Sequence, residues 1–299
     1  MAERPTAEAA DRRELVRAHL AVVLAAISFG STFIPVQDAI RRVDPVPFLG
    51  VRFLTGTVLL GLFLARIGGW SRLRQPAVIR GGLRAGVPLL AGYLLQTFGL
   101  RYTSTPVSAF ITYLLVVFVP VLGAFWLGRL PHGRVVVGVV LATAGLFLLT
   151  GAHLHVGLGE LLTLGCAVTF AVNILEIDRA VGANPEYHDV VAVAVVQLGV
   201  VAVGCLLPGF FLGGYRMPGS ALGAAVYTGV ACSALAFGLQ VWGQRRVGPT
   251  RTALLLMIEP VTAAIVGWVD GQPLGATGLA GAGLILVGIL VAEVLPSGD

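Results

Sequence analysis

Apolar residues along this chain fall in long, unbroken runs rather than at alternating positions. Stretches such as VVVGVVLATAGLFLL (135–149) and GLILVGILVAEV (283–294) are continuously apolar. Membrane β-barrel strands of about ten residues alternate apolar with polar positions instead, so a barrel is excluded. The hydrocarbon core of a bilayer, about 30 Å thick, needs roughly 20 apolar residues to be crossed as a helix. Breaks at charges, Pro and Gly place ten spans at 20–40, 47–65, 84–101, 105–127, 133–150, 157–177, 188–208, 220–243, 250–269 and 275–293. The expected fold is an all-α integral membrane protein of about ten transmembrane helices.

Composition agrees with the pattern. The 299 residues are 57% hydrophobic and 12% charged, with a mean hydropathy of +0.90. Soluble domains carry about 25% charged residues, so lipid must solvate most of this surface. Residues 1–19 read as a polar tail. The following apolar run is too long for a signal-peptide core and lacks a small-residue cleavage site, so it is read as a retained span.

All 20 basic residues are arginine. With a cytoplasmic N-terminus, fifteen fall on the inner side and four (Arg41, Arg42, Arg101 and Arg216) on the outer, while Arg52 lies within a span. Basic residues favour the cytoplasmic face, so the protein is expected in the cytoplasmic (inner) membrane with both termini in the cytoplasm. Topology thus accounts for the net charge of +5, and no nucleic-acid partner is implied. Cys166, Cys205 and Cys232 are an odd set inside apolar spans, which argues against a disulfide framework. His153 and His155 stand in an outer loop without a ligand cluster, so neither metal nor cofactor is expected.

The two halves align with each other at an offset of about 140 to 145 residues. SFGSTFI (28–34) falls on TFAVNIL (169–175), and YLLQTFGLRY (93–102) on FGLQVWGQRR (237–246). That register pairs Gln96 with Gln240, Phe98 with Trp242, Gly99 with Gly243 and Arg101 with Arg245. Pro120 falls on Pro260 after one extra helical turn. Five spans per half make the second half enter the membrane in the opposite sense, a frequent plan for secondary transporters. The expected division is a tail at 1–19, a first repeat at 20–150, a second at 151–293 and a tail at 294–299.

Several of these residues carry a resemblance. SFGSTFIPVQ in the first span, Arg52 in PFLGVRFLTG, YTSTPVSAFITYLLVVFVPVLGAFWLGRLP across the fourth and VGPTRTALLLMIEPVTAAIVGWVDGQPL with its Glu-Pro pair resemble the EamA-type transporters of the drug/metabolite transporter superfamily. The resemblance covers roughly residues 18–293. It implies two inverted five-helix repeats around a central cavity lined by helices 1, 3, 4, 6, 8 and 9. It also implies alternating access, often for export of metabolites or amino acids. Where the family usually has Gly-Glu after the penultimate span, this chain has Asp270-Gly271, and the first-half stretch LGRLP has no acid.

Strongly polar groups in a span are costly and usually face protein or water. Ser28, Ser31, Thr32 and Pro35 share one face of helix 1. Thr169, Asn173 and Glu176 share one in helix 6, Leu89, Tyr93 and Gln96 in helix 3, and Ser233, Phe237 and Gln240 in helix 8. Interhelical hydrogen bonds, worth about 0.6 kcal/mol each in membranes, are the plainer reading of such stripes. We read them as lining a cavity. Pro120 and Pro260 strip the carbonyls of Val116 and Leu256 of their usual partners, which is tolerated where a helix lines a cavity or packs on protein. Glu259 stands near mid-span, where it can bind a cation, carry a proton or be paired within the bundle. Arg52 is expected to form a structural ion pair with Asp38 or Asp44, with direct substrate contact as the alternative reading.

The candidate substrate-binding residues are therefore Ser28, Thr32, Tyr93, Gln96, Tyr113 in the fourth span, Asn173, Phe237, Gln240, Trp242 and Glu259. Gln96 beside Phe98 and Gln240 beside Trp242 are expected at an outer and an inner gate. Gly138-x-x-x-Ala142 and Gly278-x-x-x-Ala282 permit close helix contact, within the chain or in a homodimer. The expected partners are a small-molecule substrate and the lipid bilayer. No constellation of nucleophile, base and metal ligands suggests an enzyme, and no GxxxxGK[ST] suggests ATP-driven transport. A carrier and a channel-like facilitator remain as readings.

Overall fold

The structure, a computed structural model, describes residues 7–103, 105–128, 130–151, 157–183, 186–211, 214–269, 271 and 275–294. His153, His155 and Asp270 lie outside the described residues. Because lipid offers a backbone no hydrogen-bond partner, each apolar run satisfies its own amides as a helix. Helix α1 (Ala7–Ser31) continues after a one-residue turn as α2 (Phe33–Ile40). Residues 7–19, expected as a polar tail, are helical and extend α1 beyond the apolar run. Asp44 caps α3 (Pro45–Arg66) by accepting from the Val46 amide at 3.0 Å, with Pro45 in the first turn. A short 3₁₀ turn (Trp70–Arg74) leads into α4 (Pro76–Gly99). The fourth expected span is two helices, α5 (Thr105–Tyr113) and α6 (Leu115–Leu127), and α7 (Gly133–Thr150) follows.

The second half contributes α8 (Leu158–Ala183) and α9 (Tyr187–Gly209). The next span has three parts: α10 (Gly219–Thr228), a π-helical segment (Gly229–Ala236) and α11 (Phe237–Val247). Helices α12 (Pro249–Leu255) and α13 (Ile258–Val269) share the ninth span, and α14 (Ala276–Val294) is last. Among the described residues, nine helical stretches are long and apolar enough to cross a membrane, and Ala276–Ala292 is a shorter apolar helix.

Partners come from opposite halves: α3 packs on α9, α4 on α8, α7 on α14 and α1 on α11. The small residues of the seventh and last helices serve the α7–α14 contact. Gly138 lies against the Gly288 carbonyl and Ala292, and Gly145 against the Gly281 carbonyl. Two large apolar clusters result. One joins Val22, Val116, Leu175, Leu254 and Ile285, and the other joins Phe53, Val78, Ile177, Leu198 and Phe237.

Candidate functional site

A cavity of about 590 Å³ runs into the bundle from the end that carries Arg41, Asp44 and Arg101. Its walls come from the first, third, fourth, sixth, eighth and ninth spans, and Arg52 of α3 adds a second-span residue. Past Gln240 and Leu115 it gives way to buried apolar side chains, among them Val22, Val116, Leu175, Val247 and Leu254. Gln244, fully buried one turn beyond Gln240, donates its amide to the Ile174 carbonyl.

Three of the wall residues, Thr32, Tyr113 and Glu259, stand where helices are irregular. Pro35 removes a donor one turn after Ser31, and the helix breaks at Thr32, whose hydroxyl donates to the Phe29 carbonyl at 2.8 Å. Helix α5 ends at Tyr113, seven residues before Pro120 inside α6. In the ninth span the break falls at Leu256 and Met257, just ahead of Pro260. There the Leu256 carbonyl accepts from the Glu259 amide at 2.9 Å instead of from a residue four positions on. Gly30 of α1 lies against the Glu259 carbonyl and Thr262, a position where any Cβ would collide. That contact brings the first span onto the start of α13.

Eight of the ten sequence-predicted candidates line the cavity: Thr32, Tyr93, Gln96, Tyr113, Asn173, Phe237, Gln240 and Glu259. Ser28 does not, because its hydroxyl donates to the Ala231 carbonyl at 2.8 Å. Trp242 lies beyond Gln240, with the Arg245 guanidinium 5.4 Å from its ring centre. Asn173 donates to the Ala85 carbonyl at 2.7 Å and to Gln197 at 3.2 Å, while Gln96 donates to Thr112 at 3.2 Å. Glu176, expected on the same stripe as Asn173, pairs with Arg179 at 2.8 Å and is absent from the cavity lining.

Arg52 departs from expectation. Asp38 is exposed and Asp44 reaches Arg101 at 3.8 Å, so neither pairs with Arg52. The reason is depth: eight helical residues put Arg52 about 12 Å below the cap. Buried there, it donates from Nε to Ser233 Oγ at 3.4 Å. Its guanidinium stands 5.4 Å from the Phe53 ring centre and 5.5 Å from that of Tyr93, where ring faces attract a cation. Phe29 and Phe237 meet edge to face at 5.0 Å, and Tyr93 and Phe170 at 5.3 Å. Tyr113 faces Glu259 closely enough to interact with its carboxylate. Arg52 and Glu259 interact electrostatically without forming an ion pair. Among the described residues no group of three or more His, Cys, Asp or Glu side chains could hold a metal ion.

Sequence reasoning did not find the π-helical segment, the contact of Arg52 with Ser233, or Gln197 and Gln244. The small-residue run GVACSALA was the available signal for the first. Nothing local marked the glutamines, whose partners lie 24 and 70 positions away.

A helical bundle with irregular helices around a polar cavity defines a class of polytopic membrane protein. The sequence profile of the EamA-like transporter family matches residues 16–151 and again 157–293, and this chain belongs to that family. An "Uncharacterized transporter" of Archaeoglobus fulgidus is 32% identical over 162 residues, 54% of this chain and 49% of that protein. "Uncharacterized transporter YvbV" of Bacillus subtilis is 29% identical over 176 residues, 56% of each chain. The chain thus spans about half the length of the curated relatives it matches. A solved crystal structure superposes with a TM-score of 0.77 at 22% identity, covering 92% of this chain and 96% of that one, and speaks for the fold.

Proposed function

We propose that this protein is a secondary transporter that moves a small, amino-acid-like zwitterion across the cytoplasmic membrane by alternating access. One observation carries the reading. A single aromatic-walled cavity holds the Arg52 guanidinium and the Glu259 carboxylate, unpaired with each other. Such a site offers a fork for a carboxylate and an acceptor for an ammonium. The net direction implied by the family resemblance is export.

Three features support inverted repeats. The family profile matches twice. Second and seventh spans pack together, as do fifth and tenth, which is what a two-fold axis between the halves requires. The fourth and ninth spans both break ahead of a proline. The arginine distribution then puts both termini in the cytoplasm and turns the cavity mouth outward.

The test is uptake into proteoliposomes from a panel of amino acids and other small metabolites, with and without a proton gradient. Saturable uptake, inhibited by zwitterions and less by their amides or amines, is expected. Flux rising linearly with concentration would assign a channel-like facilitator, and no amino-acid flux under any gradient would overturn the reading.

A further inference from the structure

We infer that Ser233, presented by the π-helical turn of the eighth span, positions Arg52, and that this hold sets the preference of the cavity for a carboxylate-bearing substrate. The second half of the inference rests on the function proposed above; the first does not.

A π-helical turn inserts a residue into an α-helix, shifts the side chains that follow, and occurs often at functional sites. This one spans Gly229–Ala236 and is held from two directions. On the α1 side, Ser28 Oγ donates to the Ala231 carbonyl at 2.8 Å, and Thr32 Oγ1 meets Cys232 Sγ at 2.7 Å. On the α3 side, Gly56 abuts the Cβ and backbone of Ser233, and Gly229 abuts the Arg52 carbonyl and Thr55. A side chain at either glycine would collide with α3 or with the turn. Arg52 and Gly56 share a helix face at i and i+4, so the contact that seats Gly56 on Ser233 also brings the serine hydroxyl to Arg52.

Ser233 is fully buried, and its oxygen takes the Arg52 Nε–H at 3.4 Å. Nε is the donor nearest the aliphatic stem, so holding it restrains rotation of the whole guanidinium plane. With the Phe53 and Tyr93 rings fixing the plane from other sides, the four Nη–H donors of the fork are preorganised for a planar anion. Preorganisation lowers the ordering cost of binding. Ser233 is thus a positioning residue.

The experiment compares wild type with Ser233→Ala, a change that removes one oxygen and adds no bulk. In proteoliposomes the probes are L-phenylalanine and L-phenylalaninamide. They share an aromatic ring suited to the Phe29, Phe170 and Phe237 wall and an ammonium group, but only the first has a carboxylate. Phenylglyoxal modification of the Arg52-containing peptide, followed by mass spectrometry, reports guanidinium restraint without any substrate. The expected result is about a tenfold loss of preference for the acid over the amide, confined to KM, with Arg52 modified at least threefold faster. Unchanged Arg52 reactivity overturns the positioning role. Faster modification with unchanged preference overturns the link to specificity. Faster modification in a protein whose wild type never prefers the acid defeats the zwitterion reading and leaves Ser233 as the residue that holds Arg52.

Discussion

The two ends of the cavity axis carry related sequence in different surroundings. At the mouth, Phe98-Gly99-Leu100-Arg101 closes α4, and the Arg101 guanidinium stands 5.3 Å from the Phe98 ring centre. At the sealed end, Trp242-Gly243-Gln244-Arg245 closes α11, and Arg245 stands 5.4 Å from the Trp242 ring centre. The same aromatic–arginine pair therefore recurs with different acid partners. Arg101 reaches Asp44 at 3.8 Å, with 51% and 31% of the two side chains exposed. Glu14 of α1, by contrast, is gripped by Arg245 at 2.9 Å and Arg246 at 2.8 Å, and Asp11 reaches Arg246 at 3.4 Å. Below that cluster Gly243 packs directly on the Ala18 backbone and Val22, drawing α11 against α1. Among the described residues the Arg101–Asp44 pair at the mouth is long and exposed, whereas the far end holds a network of three pairs. An arginine stands at each end, and helix α1 brings its acids, Asp11 and Glu14, to the end away from the mouth.

The largest effect should come from the carboxylate of the cavity wall. Glu259→Gln keeps the shape of the side chain and removes its charge, so counterflow transport should fall at least a hundredfold while membrane yield stays near normal. A Gln variant within threefold of wild type would show that Glu259 serves packing alone.

The comparison between ends is sharpened by breaking each pair. In a Leu115→Cys reporter at the cavity floor, Glu14→Gln should raise labelling by an impermeant maleimide from the sealed side about tenfold. Raised ionic strength should raise it in wild type too, since these partly exposed pairs are screened by salt. Asp44→Asn should alter labelling from the mouth no more than twofold, because it removes one long, exposed pair. Equal effects would erase the distinction between network and loose contact.

A smaller difference is expected between the paired glutamines. Gln240 is buried at the floor, whereas Gln96 is half-buried and tied to Thr112. Gln240→Ala should therefore raise labelling of the same reporter from the sealed side about threefold, and Gln96→Ala should change labelling from the mouth less than twofold. The reverse order would place the weaker barrier at the floor.

Much of this was legible from residue order alone. Unbroken apolar runs specify helices in lipid because a backbone there has no partner but itself, and among the described residues nine helical stretches are long and apolar enough to cross a membrane, with Ala276–Ala292 a shorter apolar helix. Pro120 and Pro260 announced disturbed helices in the fourth and ninth spans, since a missing amide and a ring clash act on the local chain. The stripes through Tyr93, Asn173 and Gln240 pointed to a shared polar interior, because a 3.6-residue period fixes which side chains share a face.

Tertiary structure decided what those side chains do there. Ser28 and Asn173 are both small and polar on a stripe, yet one gives its hydroxyl to the Ala231 carbonyl and the other reaches Ala85 and Gln197 from the cavity wall. Arg52 had two acids near it in the chain, but helix rise took it out of their reach and packing gave it Ser233, 181 positions away. Local sequence fixes periodicity, breaks and charge. A hydrogen bond between spans depends on helix rotation and depth, which many distant contacts set together, so the cavity, its paired charges and its sealed end belong to the assembled bundle.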